Sequence, residues 1–124
     1  MTLTTQRAAL KAALTPIEEG PIGAKVYDYV PETIVAPAII IQPGDPYLDD
    51  AGQPIDAYKV NRIVTLIARV GTNERQTDDL DDLIEAVVLI LDVSKVSAPY
   101  EFTYNNAHYL AVNTTVSDTL KIGE

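Results

Sequence analysis

Between Thr72 and Asp92 the apolar residues keep helical spacing: Leu80, Leu83, Ile84, Val87, Val88 and Leu91 recur at i, i+3, i+4, i+7, i+8 and i+11. Glu74, Asp78, Asp81, Asp82, Glu85 and Asp92 fall elsewhere on the wheel. The pattern predicts one long amphipathic helix that packs by its stripe and shows its charge. Thr72 or Thr77 is the expected N-cap, and carboxylates near the amino end suit the positive end of the helix dipole. Leu89 lies about 180° from Leu80, in the middle of the acidic face, so something must cover it.

The same reading along the rest of the chain predicts a first helix over Thr5 to Leu14. Leu10, Ala13, Leu14 and Leu3 face inward, and Pro16 and the turn-rich EEGPIG end it. Ala24 to Val30 alternates as a strand, with Val26, Asp28 and Val30 on one side. Ile39, Ile40 and Ile41 are consecutive β-branched residues, which marks a central strand buried on both faces. Gly44 to Ala57 collects prolines, glycines and four aspartates, so it is expected to be a long loop. The strand after it, Tyr58 to Val70, would reach about 43 Å at ~3.3 Å per residue, longer than a usual strand. Its inner section, Ile63 to Ala68, is apolar on both parities apart from Thr65. Its outer section, with Lys59, Asn61 and Arg62, joins the loop in a projecting arm over 44–62. After the acidic helix come a turn at SKVSAP and two strands, about Tyr100 to Tyr104 and Tyr109 to Ser117, joined at Asn105-Asn106. Leu110, Val112 and Val116 alternate inward. The order α-β-β-β-α-β-β predicts a single α+β domain with a mostly antiparallel sheet covered by helices.

Composition narrows the classes. A chain of 124 residues with 47% hydrophobic content fits one domain with its own core, and the absence of cysteine excludes disulfides and thiolate metal sites. The start lacks a signal-peptide core and no apolar run is long enough to span a bilayer, so a soluble, unsecreted protein without a membrane partner is expected. The net charge of −9 is concentrated. Residues 74–92 hold seven acids against Arg75 and residues 44–57 hold Asp45, Asp49, Asp50 and Asp56 with no base, while the remainder is close to neutral. Two acidic features of this kind argue against nucleic-acid or anionic-membrane binding through the bulk surface.

Candidate chemistry is sparse. His108 is the one histidine, and Ser94, Ser97 and Ser117 stand in no nucleophile-elbow or phosphate-loop context, so no catalytic residue and no cofactor are assigned. Asp45, Asp49 and Asp50 with Gly52 lack the alternation and terminal glutamate of a calcium loop, and the carboxylate pairs of the helix read as a solvated face rather than a metal site. Seven tyrosines against one phenylalanine suit places that are apolar at one end and wet at the other, such as subunit interfaces or sheet edges. The exposed-arm pattern makes Asp45, Tyr47, Leu48, Asp49, Asp50, Tyr58 and Arg62 the expected partner-contact residues, together with Leu89.

The run VYDYVPETIVAPAIIIQPGDPYL, the long strand VNRIVTLIARV, the helix opening RQTDDLDDLIEAV and the final HYLAVNTTVS together resemble the tail terminator, or tail completion, proteins of long-tailed bacteriophages. The likeness covers most of the chain and is one of layout and phrasing, not of an active site. It implies a structural, non-enzymatic virion protein. It also implies a hexameric ring of identical subunits at the neck, capping the tail tube protein and meeting the head-side connector or stopper protein, with assembly in the host cytoplasm. DNA would pass through without specific binding. In such a ring Asp78, Asp81, Asp82 and Glu85 would line the channel in preference to the outer rim, since six like-charged helices repel at a seam and a negative wall does not bind the phosphates of DNA in transit. Another neck component, a head completion or stopper protein, or a small cytoplasmic ligand-binding or regulatory domain are the alternative readings.

Overall fold

The computed structural model describes residues 2–50, 57–68, 73–104 and 107–121. In chain order the elements are α1 (Leu3–Glu19), β1 (Lys25–Tyr27), β2 (Ala38–Asp50), β3 (Ala57–Ile67), α2 (Asn73–Ile90), β4 (Val93–Val96), β5 (Tyr100–Tyr104) and β6 (Ala107–Lys121). They form one mixed sheet in the order β1-β2-β3-β6-β4, with β5 also paired to β6. Among the described residues only the β1–β2 pair is parallel. The expected α+β class and mostly antiparallel sheet are the observed ones.

Both helices lie on one face of the sheet. Leu14 and Ile17 of α1, Leu80, Leu83 and Val87 of α2 and Leu91 just past its end pack there with Val26, Ile39, Ile41, Val64, Leu66, Val112 and Val116. Ile40 points the other way, into a smaller cluster with Ile34, Ala38, Ile67 and Ala111, so the Ile39–Ile41 run is buried on both faces. Among the described residues that second face carries no helix. The connection 28–37 covers one end of it: Ile34 is buried there, and Pro31 O accepts a hydrogen bond from Tyr104 of β5.

Several local expectations are corrected. α1 runs through Pro16 to Glu19, because burial of Leu14 and Ile17 on either side of the proline holds the turn despite one lost main-chain bond. Thr2 caps it, its hydroxyl accepting from Thr5 N at 3.1 Å. Ala13 is exposed, whereas the unforeseen Gln6 is buried. β1 is only three residues long. α2 begins before Thr77, which therefore is not its cap, and Thr72 lies outside the described residues. Val88 is 48% exposed, since it sits about 100° around the helix from Val87, at the margin of the stripe. Ile84 is half-buried against the core. The SKVSAP segment contains a strand, β4, which pairs with β6 despite a bulge between Val93 and Lys95. The Asn105-Asn106 turn and the end of the long strand at Val70 lie outside the described residues.

Candidate interaction surfaces

The arm differs most from its sequence pattern. β2 and β3 continue as a ladder past the two hydrophobic clusters, to the pair Asp50 and Tyr58, with Ala57, Val60 and Leu120 buried beside it, so residues 44–50 are strand and not open loop. Residues 51–56 lie outside the described residues. β6 runs alongside, pairing Val116 with Arg62 and Leu120 with Tyr58, so the arm has three strands. Beyond Arg62 the ribbon belongs to neither hydrophobic cluster.

A bulge lets a proline-rich segment enter the ladder. Between Pro43, opposite Arg62, and Leu48, opposite Val60, β2 advances five residues while β3 advances two. Asn61 replaces the lost ladder bonds: its Nδ2 donates to Pro46 O and to Asp49 Oδ2, both at 3.0 Å, and its Oδ1 accepts from Ser117 Oγ at 2.8 Å. Gly44 fits because the backbone of Asn61 passes so near that a Cβ would stand 2.7 Å from its carbonyl oxygen.

Arg62, expected on the contact surface of the arm, is buried within the subunit. It is 2% exposed, its Nε donates to Gln6 Oε1 at 2.9 Å, and its Nη2 donates to Leu3 O at 3.0 Å. Its guanidinium lies 5.2 Å from the centroid of the Tyr47 ring. Burial pulls it below its ordinary pKa, with Tyr47 opposing that and Arg7 adding to it. Arg62 thus fastens the start of α1 to the root of the arm. The period-2 pattern of the strand placed Arg62 on the same parity as Val64 and Leu66, but no sequence signal named Gln6 as its partner.

The remaining candidates divide. Leu48 is 37% exposed, Tyr47 and Tyr58 are half-buried, and Asp49 is bound to Asn61. Asp45 and Asp50 are strand residues whose side chains lie outside what is described. On α2, Asp78, Asp81, Asp82 and Glu85 are exposed and Leu89 is 87% exposed, as its place on the wheel required. Beside α2, a cleft of about 360 Å³ opens between Gln6, Ala9 and Leu10 of α1 and Ile90 and Leu91 at the end of α2.

The helix-free face of the sheet carries a polar chain across four strands, β2, β3, β6 and β5. Gln42 Nε2 donates to Thr65 Oγ1, Thr65 Oγ1 donates to Asn113 Oδ1, and Tyr100 OH donates to the same Asn113 oxygen, each at 2.9 Å. Thr65 is fully buried, and burial raises the Tyr100 pKa against the lowering effect of these hydrogen bonds. Next to it Tyr100 meets Phe102 edge-on at 6.5 Å and Phe102 stacks on Tyr104 at 6.1 Å. Two of the seven tyrosines and the one phenylalanine thus line this face from β5. His108 is exposed and binds Glu101 Oε1 at 2.9 Å. Among the described residues no group of three or more His, Cys, Asp or Glu side chains is arranged to hold a metal ion.

No protein-family model matches this sequence, and no curated protein matches it.

Proposed function

We propose that the chain is a structural subunit of a bacteriophage neck: a ring of identical copies that caps the tail tube, ends its polymerisation and joins it to the head-side connector. The observation that carries most weight is the pairing of a reaching element with two unlike faces on one rigid core. A subunit that joins copies of itself head to tail needs two different complementary surfaces, and the acidic helix layer and the helix-free polar sheet face are such a pair. The three-stranded arm, braced at its root by Arg62 and Asn61, supplies the reach. Its exposed Leu48 is the apolar residue offered to a neighbour or to the tube. The phrasing of the 26–48 segment and the strand-helix sequence that follows give the phage context. DNA in transit would meet a chain of net charge −9 and find no general affinity.

The test is removal of this chain from the genome that carries it. Tails of uncontrolled length that fail to join heads are expected, restored by the chain supplied in trans, and a tagged copy should sit at the neck of finished particles. Normal tails joined to heads, or a tag found elsewhere in the particle, would refute the reading.

A further inference from the structure

Three of the strand lysines lie on the face of the sheet opposite the acidic helix α2. Lys25, Lys59 and Lys95 are all exposed, and the strand registers place all three on the helix-free side. Lys25 pairs with Ala38 of the second cluster, Lys59 with Thr119 two residues from the pair Asn61 and Ser117, and Lys95 with Thr115, which itself pairs with Ile63. Across the molecule α2 shows Asp78, Asp81, Asp82 and Glu85 around the uncovered Leu89. The net charge therefore conceals an anionic α2 set against three lysines on the bare sheet, while α1 carries Arg7 and Lys11 and the 28–37 connection carries the exposed Glu32. Asp49, the acid whose register puts it with the lysines, is engaged by Asn61.

The 28–37 connection and the β5 aromatics cover only the Ile40, Ile67 and Ala111 end of this face. Toward the arm, half-buried Ile63 lies among Gln42, Asn61 and Thr115, with Lys59 further along its strand and Lys95 on the edge strand. We propose that the acidic face of α2 in one copy seats on this lysine-flanked half of the sheet in the next copy, with Leu89 against Ile63. The proposal rests on the ring reading above and names its seam. Each copy uses two unlike surfaces, so the contact is heterologous and repeats around a ring. It places the α2 acids at the subunit contact instead of a channel wall or rim. Repulsion between like helices does not oppose this arrangement, because each acidic face meets lysines and not another acidic face. A nucleic acid fits the lysine face less well, since the field of a −9 chain repels phosphates on approach.

The experiment measures self-association of the full chain by light scattering at low salt. Asp81→Lys with Glu85→Lys, and separately Lys59→Glu with Lys95→Glu, should each weaken association about a hundredfold or more. A 1:1 mixture of the two variants should associate again, because each then offers the face the other lacks. The first variant is decisive, since it lowers the net charge from −9 to −5. General repulsion alone predicts stronger association, while the seam predicts weaker. A wild-type chain that stays monomeric, or variants that associate as wild type does, overturn the seam. In the latter case the ring reading stands with another contact. Association that follows the charge pattern while tagged protein is absent from the neck keeps the seam and removes the ring-on-tail reading. Retention of a labelled DNA oligonucleotide by the wild-type chain, lost on Lys59→Glu with Lys95→Glu, assigns the face to nucleic acid and also overturns the seam.

Discussion

Replacing Arg62 by methionine keeps most of the side-chain volume and removes the charge, so the result isolates what the guanidinium does at the root of the arm. The two hydrogen bonds lost, to Gln6 Oε1 at 2.9 Å and to Leu3 O at 3.0 Å, are charge-assisted and worth about 1.5–3 kcal/mol each when made. Their loss strands the Gln6 carbonyl, on a residue only 5% exposed, without its donor. Against this, the variant no longer desolvates a guanidinium, which returns part of the cost. The expected net loss is about 2–4 kcal/mol, or roughly 10 °C in Tm for a domain of this size. Urea unfolding followed by far-ultraviolet circular dichroism measures it, and hydrogen exchange should show the first turn of α1 opening before the rest. Gln6→Leu combined with Arg62→Met replaces both ends by apolar groups and should recover much of the loss, with a coupling energy of about 1–3 kcal/mol. Wild-type stability for Arg62→Met, or strict additivity in the double variant, would show that this contact does not hold the helix to the arm.

Val87→Ala, at a fully buried position, is expected to cost about 2–4 kcal/mol, and Ile84→Ala, half-buried, about 1–2 kcal/mol; the reverse order in urea midpoints would mean that the phase of α2 is wrong. Gly44→Ala forces a Cβ against the Asn61 backbone and should cost about 1–3 kcal/mol, with faster amide exchange over 47–50 as the local readout, and unchanged exchange there counts against the bulge. Burial raises the Tyr100 pKa, so the native state keeps that proton at pH values where the unfolded chain, near 10, has lost it. Its contribution is complete below about pH 10 and fades as pH climbs through the raised native value. The wild-type urea midpoint should therefore fall more steeply above about pH 10 than that of Tyr100→Phe, and equal slopes would remove the assignment.

Periodicity alone determined the elements whose burial is one-sided and long enough to be counted. Leu80, Leu83, Val87 and Leu91 repeat with the helical turn, and three β-branched residues at 39–41 admit little except a strand covered on both sides, so α2 and β2 were legible before any contact was known. The exposure of Leu89 followed from the same geometry. Tertiary structure decided whatever depends on a partner distant in sequence. β4 has only four residues, three of them exposed, and is a strand because β6 offers it an edge. Prolines and aspartates in 43–50 read as loop, yet the segment is held extended by Asn61 and by β3, through bonds that local propensity does not encode. Arg62 looked like a surface charge because its stabilising partner, Gln6, lies 56 residues earlier. The division of acids and lysines between opposite faces depended on strand register, since a shift of one residue sends a side chain to the other side of the sheet. Sequence gave each strand its alternation; only pairing gave the alternations a common direction.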